Sequence, residues 1–421
     1  MLNRVTDFFR AKNPEIMVKA PSRINLINPL DAVEGDFWMP AVAINGYENP
    51  LSSFVYIKKS NFPSSYIIYE FKDNEIKLIS NNLIEIKELK LREAIQKSRD
   101  LIKATIFRFS QTHPSFWEKF CEEHLEIGVL TTIPRQSGLG GSASIIIALI
   151  YALAKFFNLY NLDDDNLPIN KDTIAEMATR VEDNDLKITA GYSDRYVISR
   201  GGLSFCSYVG KLLHNEIGEE PLAVYDRIDK TYKIKSLPII ICHSGIVHNS
   251  GSIHGQLRKK YLEKNITIED LYKQIANISW KSRYAIMKRD WKLLGLYFKE
   301  NTNIMNRIMK IAGFPYGIGS ANNVLIELIQ DHPDVYAAKL TGAGGGGSVF
   351  ALTKSSKVKE VLLYWKNKLI EVTSEKEIFR LNFPNYPEDI RKKLIFAQFF
   401  QVKIDKAGVK EFFEYKNRDR K

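Results

Sequence analysis

The chain has 421 residues, of which 45% are hydrophobic and 26% are charged. This length suffices for two domains, and the composition is ordinary for a globular protein, which excludes fibrous and disordered classes. The net charge of +11 comes from basic residues spread along the chain, without the aromatic and basic stripe that stacks nucleic-acid bases. We therefore expect a solvated, lysine-rich surface rather than a nucleic-acid interface.

The apolar segments and the cysteines also narrow the class of protein. Met1–Lys12 lacks the apolar run of a signal peptide, and Ile145–Phe157 is interrupted by Lys155 and is shorter than the roughly 20 residues that span a bilayer. The three cysteines form no CxxC pair, which argues against a disulfide framework and a zinc site. We expect a cytoplasmic protein without a membrane partner, and the oligomeric state stays open.

The first part of the chain alternates short strands with turns and then forms helices. Runs rich in β-branched and aromatic residues predict five strands, at Ile16–Ala20, Phe37–Ile44, Ser53–Lys58, Ser65–Phe71 and Leu125–Thr132. Apolar periodicity predicts helices at Lys87–Phe109, Gly140–Phe157 and Asp172–Arg180.

The chain becomes richer in helices after about Pro221. Helices are predicted at Ile266–Arg289, Trp291–Ile311, Ala321–Gln330 and Lys357–Val372, and strands at Leu237–Cys242, Ala338–Leu340, Ser348–Leu352 and Ala397–Ile404. This contrast predicts an α+β protein of two domains, residues 1–221 and 222–421. The tail from about residue 375 either completes the second domain's sheet or serves a subunit contact.

A glycine-rich turn connects the strand near Thr132 with the following helix. From Pro134 to Ser144 it reads PRQSGLGGSAS. Glycine allows a ligand to approach the backbone, and the free N–H groups and dipole of the helix start attract an anion such as phosphate. A turn that only caps a packed helix is the alternative, but it needs fewer glycines. We predict that this turn binds the phosphates of ATP, although the Walker and protein-kinase motifs are absent.

Two further segments carry unusual residues. Arg23 lies within an apolar, strand-like stretch, where a cation requires an anionic partner, either a structural ion pair or a ligand. Between two predicted strands, the stretch from Lys339 to Ser348 reads KLTGAGGGGS. So many glycines indicate close backbone approach to a ligand or to another loop, with a flexible hairpin as the alternative.

In chain order and spacing, these three segments resemble the three motifs of the GHMP kinase superfamily, which includes galactokinase, homoserine, mevalonate and phosphomevalonate kinases. The stretch around Arg23 is similar to the PxRxNLIGEH motif, that around Ser142 to PxxxGLGSSA, and the late glycine loop to KxTGAGxGG. The resemblance covers about Met17 to Leu352. It implies an N-terminal domain with a left-handed βαβ crossover, a ferredoxin-like C-terminal domain, and an ATP-dependent kinase site between them.

The resemblance also implies roles for single residues. Asp194, in a Gly-x-x-Asp turn, matches the catalytic base, and Arg23 matches its basic partner. Ser142 and Glu182 match the Mg²⁺ ligands, with Glu176 and Asp183 as alternatives to Glu182. The implied phosphate-binding set is Pro134, Gly138, Leu139, Gly140, Gly141, Ser142, Ala143 and Ser144. Gly141 departs from the motif, which has serine there, so one phosphate or Mg²⁺ contact is expected to be either missing or made by the backbone.

The acceptor is predicted from weaker similarities. Asn28–Asp31 reads NPLD, which is similar to glucuronokinase-like members, and two stretches near Gly191 and Arg258 agree. The resemblance therefore implies a sugar or sugar-acid kinase that makes a sugar 1-phosphate. Heptose-phosphate and mevalonate kinases are alternatives, and a catalytically silent metabolite-binding protein is the alternative of a different class. The expected cleft residues are Asn28, Asp31, Arg195, Gly344 and Gly345, with Arg195 or Arg200 pairing a substrate carboxylate.

Overall fold

The structure is a computed structural model that describes residues 2–27, 38–47, 49–72, 75–90, 92–159, 169–207, 223–247 and 250–412. Its strands are β1 (Ile16–Asn25), β2 (Trp38–Gly46), β3 (Ser52–Lys59), β4 (Ser65–Lys72), β5 (Glu75–Leu83), β6 (Leu125–Thr131), β7 (Leu203–Ser207), β8 (Val224–Asp226), β9 (Ile239–His243), β10 (Val335–Thr341), β11 (Ser348–Thr353), β12 (Gln398–Ile404) and β13 (Lys410–Glu411).

The helices lie between groups of these strands along the chain. They are α1 (Leu2–Lys12), α2 (Ile86–Leu89), α3 (Arg92–Ser98), α4 (Leu101–Thr112), α5 (Pro114–Glu122), α6 (Gly141–Phe156), α7 (Lys171–Arg180), α8 (Ser193–Arg200), α9 (Ile228–Thr231), α10 (Ser250–Leu262), α11 (Ile266–Lys288), α12 (Trp291–Ile311), α13 (Ser320–Glu327), α14 (Val358–Ser374), α15 (Lys376–Asn382) and α16 (Asp389–Leu394). A π-helical turn, Val181–Asp185, continues α7. None of the helices in the described ranges is long and apolar enough to cross a membrane.

One mixed sheet runs through the molecule, and helices pack on it. Its strand order is β10-β11-β9-β12-β2-β1-β3-β6-β4-β5, and β7, β8 and β13 pair beside this path. The neighbours are antiparallel except for β4 and β6, which are parallel. The arrangement confirms the predicted α+β class.

Strand β12 joins the part of the sheet from the second half of the chain to the part from the first half. Its residues Gln398–Gln401 pair with β9, and Val402–Ile404 pair with β2. The tail therefore completes the sheet, which was one of its two predicted roles. The domain ranges 1–221 and 222–421 stay predictions, and Pro221 lies outside the described residues.

Helix α6 forms the centre of the first half because its apolar side chains cover its whole circumference. Every residue from Ile146 to Ala154 is buried, as a helix enclosed by other elements requires. It packs against β1 and β3 on one side and against α4, α7 and α8 on others. This packing fixes the helix start, and with it the glycine-rich turn, relative to β1 and α8.

Most predicted elements are present, but the helix predicted at Lys87–Phe109 is wrong as a single helix. Three helices, α2, α3 and α4, occupy that stretch. The break between α3 and α4 lies at Arg99, which has a left-handed φ of 51°, and Asp100, whose carboxylate accepts hydrogen bonds from the N–H groups of Ile102 and Lys103. An aspartate cap is a stronger local signal than the apolar periodicity that crosses it.

Candidate active site

Asp194 lies at the centre of a network of polar side chains. It is the second residue of α8, so the expected turn is the first turn of a helix. Both carboxylate oxygens accept hydrogen bonds from the Arg23 guanidinium, through Nε and one terminal nitrogen. Asn25 donates a third hydrogen bond from Nδ2 over 3.1 Å. The Asp194 side chain remains 15% exposed, so the carboxylate is held in a fixed orientation and still reaches solvent.

The geometry of β1 explains why Arg23 and Asn25 meet the same carboxylate. Side chains two residues apart on a strand point to the same face. The other terminal nitrogen of Arg23 donates to the carbonyl of Gly138 in the glycine-rich turn. One guanidinium therefore connects the predicted base with the predicted phosphate site. The sequence predicted either a structural ion pair or a ligand contact for Arg23. The ion pair is present, and it lies inside the candidate site.

The glycine-rich turn is held against β1 by its backbone. The carbonyl of Leu139 accepts hydrogen bonds from Ser22 Oγ over 2.8 Å and from the N–H of Arg23 over 3.2 Å. Gly140 has a φ of +78°, and a Cβ there would lie 3.1 Å from Arg23 Cγ. Leu139 itself is buried, so its side chain packs in the core and only its backbone belongs to the turn's surface.

The start of α6 presents one hydroxyl to solvent and buries another. Ser142 is exposed, whereas Ser144 is buried and donates from Oγ to the carbonyl of Ala20 over 3.0 Å. The first N–H groups of a helix have no partner within the helix, so this end can accept an anion. A Cβ at Gly141 would meet nothing closer than 3.7 Å, so the serine of the family motif would fit there.

The second glycine loop, which joins β10 to β11, packs directly on the glycine-rich turn. A Cβ at Gly342, whose φ is +83°, would lie 3.1 Å from Gly138 Cα. Ser348 Oγ donates to the carbonyl of Ser137 over 2.7 Å. The close approach that the glycines predicted is thus made to the other loop. Of the two predicted cleft glycines, Gly345 is exposed and Gly344 is buried.

Two buried titratable groups flank this second loop. Lys339 is completely buried; it donates to the carbonyl of Leu340 over 2.6 Å and lies near the rings of Phe298 and Phe350. Burial lowers the pKa of Lys339 well below its usual value. Burial also lowers the pKa of His243, against the opposing effect of its hydrogen bond to the carbonyl of Gly347. His243 therefore supports the backbone of the loop at Gly347, and Lys339 supports strand β10, which leads into the loop.

The π-helical turn carries acidic residues that include the predicted metal ligand. Glu182 is buried and forms an ion pair with Arg195. The alternative Glu176 accepts a hydrogen bond from the hydroxyl of Tyr196 over 2.5 Å. The alternative Asp183 is bound by Arg258 over 3.0 Å. All three acids already have protein partners, and a helical insertion of this kind is frequent at functional sites.

Arg195 lies between Glu182, the predicted Mg²⁺ ligand, and Asp194, the predicted base. Its guanidinium contacts the carboxylates of Glu182 and of Asp194, the latter over 3.5 Å, and donates to the carbonyl of Gly191 over 3.0 Å. Its side chain is only 6% exposed. A substrate carboxylate would have to compete with these contacts. Arg200 forms an ion pair with Asp172 over 3.5 Å and lies over the ring of Tyr225.

The donor set fits Mg²⁺ chemically. Ser142 offers an exposed hydroxyl and Glu182 a carboxylate, and Mg²⁺ takes one or two such oxygens together with phosphate oxygens and water. Among the residues that the structure describes, no group of three or more His, Cys, Asp or Glu side chains could hold a metal by itself.

The structure brings some of the predicted site residues together, and others lie outside the residues that it describes. It brings Arg23, Asp194, Arg195, Gly138 and the second glycine loop together. Asn28 and Asp31 lie outside the described residues, so these cleft predictions stay open. Asn25 was missed, although its position two residues after Arg23 on one strand could have revealed it. Thr341 was also missed; its Oγ1 accepts a hydrogen bond from the N–H of Asn25 over 3.2 Å.

Comparisons with known proteins match both halves of the chain. Residues 100–202 match the family model "GHMP kinases N terminal domain", and residues 282–371 match "GHMP kinases C terminal". Glucuronokinase 1 of Arabidopsis thaliana is 28% identical over 54% of this chain and 58% of its own length. A mevalonate kinase of Pyrococcus horikoshii is 26% identical over 54% of this chain and 59% of its own. These matches span less than two thirds of either relative.

A solved structure extends the likeness in fold to nearly the whole chain. The crystal structure of Lactococcus lactis galactokinase complexed with galactose superimposes with a TM-score of 0.63 at 14% identity, covering 97% of this chain and 99% of that one. The chain therefore has the two-domain GHMP kinase fold that the three motifs implied. The chain thus combines matches to both GHMP kinase domain models with all three of the motifs.

Proposed function

We propose that this protein is an ATP-dependent phosphotransferase that phosphorylates an alcohol group of a small molecule. The observation that carries the proposal is the position of Arg23, which binds both oxygens of Asp194 and the Gly138 carbonyl of the glycine-rich turn. A carboxylate held this close to a phosphate-binding turn is suited to receive a proton where a hydroxyl meets the γ-phosphoryl group of ATP. Phosphoryl transfer requires this kind of positioning and charge stabilisation.

The proposed reaction uses four parts of the site. The phosphates of ATP lie against the start of α6 and the turn from Gly138 to Gly141. The acceptor hydroxyl gives its proton to the Asp194 carboxylate while its oxygen forms a bond to the γ-phosphorus, and ADP leaves as the bridging bond breaks. Arg23 orients Asp194 and supplies positive charge beside the transferring group. Mg²⁺, held by Ser142 and Glu182, would neutralise phosphate charge.

For the acceptor, we propose a sugar or sugar acid, with a sugar 1-phosphate as product. Support comes from the Arabidopsis glucuronokinase, whose name states its activity, and from the stretches near Asp31, Gly191 and Arg258 that resemble such enzymes. Because the Glu182 and Asp194 carboxylates hold Arg195, we do not assign it to a substrate carboxylate. An ATP-consuming enzyme of this type suits the cytoplasm, where its donor is abundant.

The acceptor is tested by measuring ADP formation from MgATP with a panel of uronic acids, neutral sugars, heptose phosphates and mevalonate. We expect turnover that requires an acceptor and is highest with a uronic acid or neutral sugar. Preference for a heptose phosphate or for mevalonate would replace the proposed acceptor but keep the kinase. Binding of MgATP with no turnover on any acceptor would instead favour a metabolite-binding protein.

A further inference from the structure

Among the arginines that contact the π-helical turn, Val181–Asp185, three come from the helices α4, α8 and α10. Arg108 of α4 makes a two-point contact with Asp185, over 2.6 and 2.7 Å. Arg195 of α8 contacts Glu182, and Arg258 of α10 contacts Asp183. The first two belong to the segment that matches the N-terminal family domain, whereas α10 lies between the two matched segments. Arg258 thus ties a separate part of the chain to the site.

Arg258 and Asp183 together hold the backbone of one residue, Ala190, by its N–H and by its carbonyl. Asp183 Oδ1 accepts a hydrogen bond from the N–H of Ala190 over 3.0 Å. Arg258 donates one hydrogen bond to Asp183 over 3.0 Å and another to the carbonyl of Ala190 over 3.1 Å. Ala190 is buried, and it lies four residues before Asp194. The ion pair therefore fixes the backbone that leads into the helix bearing the proposed base.

Helix α10 also contacts both sides of the site by close packing. A Cβ at Gly255 would lie 3.4 Å from Oγ1 of Thr189, the residue before Ala190. The side chain of Ile253 reaches the second glycine loop, where a Cβ at Gly345 would lie 2.9 Å from its Cδ1. The helix is therefore seated against the turn before Asp194 and against the loop that covers the phosphate site.

We propose that Arg258 is a positioning residue for the reaction: with Asp183 it clamps Ala190, and α10 thereby sets the position of Asp194. The inference rests on the proposed kinase function. It assigns no contact between Arg258 and substrate. Its consequence is that the rate of phosphoryl transfer depends on a side chain that lies outside both segments matched by the family models.

The test compares Arg258→Met with Lys259→Met in the full chain. Lys259 is the adjacent residue on α10, its side chain is 76% exposed, and its contact with Glu263 is 3.9 Å long. Two readouts are measured: deuterium uptake by the segment 188–194, which requires no substrate, and kcat together with KM for ATP. We expect Arg258→Met to raise the uptake and to lower kcat by about 10- to 100-fold, with KM for ATP nearly unchanged.

Two more variants separate positioning from a general loss of stability. In an Asp183→Asn background, Arg258→Met should cause little further loss of kcat. In the otherwise wild-type protein, Arg258→Lys should retain part of the kcat that Arg258→Met loses. Wild-type uptake in 188–194 for Arg258→Met, or raised uptake with unchanged kcat, would overturn the proposal. If the wild-type protein transferred phosphate to no acceptor, the proposed function would fail, and the uptake result alone would decide whether the clamp exists.

Discussion

At the scale of single residues, Asp194 and Arg23 form the feature on which the site depends. Their side chains are 15% and 6% exposed, so the pair is largely removed from water, and removing one partner leaves the other poorly solvated. Two neighbours, Asn25 and Arg195, also contact the carboxylate. These contacts hold the carboxylate in one orientation, as the proposed role of Asp194 in receiving a proton requires.

Arg23→Met should stop phosphoryl transfer and leave ATP binding nearly intact, because the nucleotide is expected to bind to backbone groups of the turn. Losing one such charge-stabilising donor costs about 10²- to 10³-fold in kcat. The measurement is kcat together with the affinity for MgATP by calorimetry. Arg227→Met is the matched control, since Arg227 makes an equivalent two-point pair with Asp229 over 2.8 Å. Equal kcat losses in both variants would contradict a specific role for Arg23.

At the scale of elements, the two glycine loops behave as one unit. Gly342 approaches Gly138 so closely that a side chain at position 342 would push on the glycine-rich turn. The φ of Gly342, +83°, also disfavours any other residue at this position. The sequence predicted close approach but left open whether a ligand or a loop was its target. Only the folded chain answers this, because more than 200 residues separate the loops.

Gly342→Ala should weaken nucleotide binding. Gly313→Ala is the control, because Gly313 has a similar φ of +96° and nothing within 4 Å of an added Cβ. Both substitutions carry the backbone strain, of about 1–2 kcal/mol, but only the first displaces Gly138. We expect KM for ATP to rise about tenfold in Gly342→Ala, which corresponds to about 1.4 kcal/mol, and to stay near wild type in Gly313→Ala. Identical values for both would show that the contact between the loops is irrelevant.

Other elements were beyond sequence reasoning for identifiable reasons. The π-helical turn has no signature in apolar periodicity, and its three acids show their meaning only through arginines from distant helices. The amphipathic signal that predicted α12 at Trp291–Ile311 is, in contrast, entirely local. Local patterns thus predicted most helices and the glycine turn, whereas the partners of Glu182 and Arg195 depend on tertiary packing.

At the scale of the whole molecule, β12 makes the two halves share one sheet. Its first residues pair with β9 and its last residues with β2, so the tail of the chain joins strands from both halves. The sequence predicted this strand at nearly its observed bounds, but the pairing of an isolated strand is not encoded in its own residues. Stability of the two halves should therefore be linked through β12.

Gln401→Pro should lower the free energy of unfolding by about 3 kcal/mol or more, because proline cannot be accommodated within a strand paired on both sides. Gln401 pairs with Ile240, and its carbonyl accepts a hydrogen bond from the N–H of Tyr47. Ser355→Pro is the control, since Ser355 follows Lys354 at the start of an exposed turn where proline is favoured. Urea denaturation measures both variants, and equal stability would contradict the linkage.

The central claim is that Asp194 takes the proton of an acceptor hydroxyl during transfer from ATP. The most direct measurement follows radioactive γ-phosphate from ATP to the best acceptor of the panel, for the wild-type protein and for Asp194→Asn. We predict acceptor-dependent transfer by the wild type and a loss of about 10²- to 10⁴-fold in the variant, with MgATP still bound. Transfer by Asp194→Asn at most of the wild-type rate would contradict the assignment of the base.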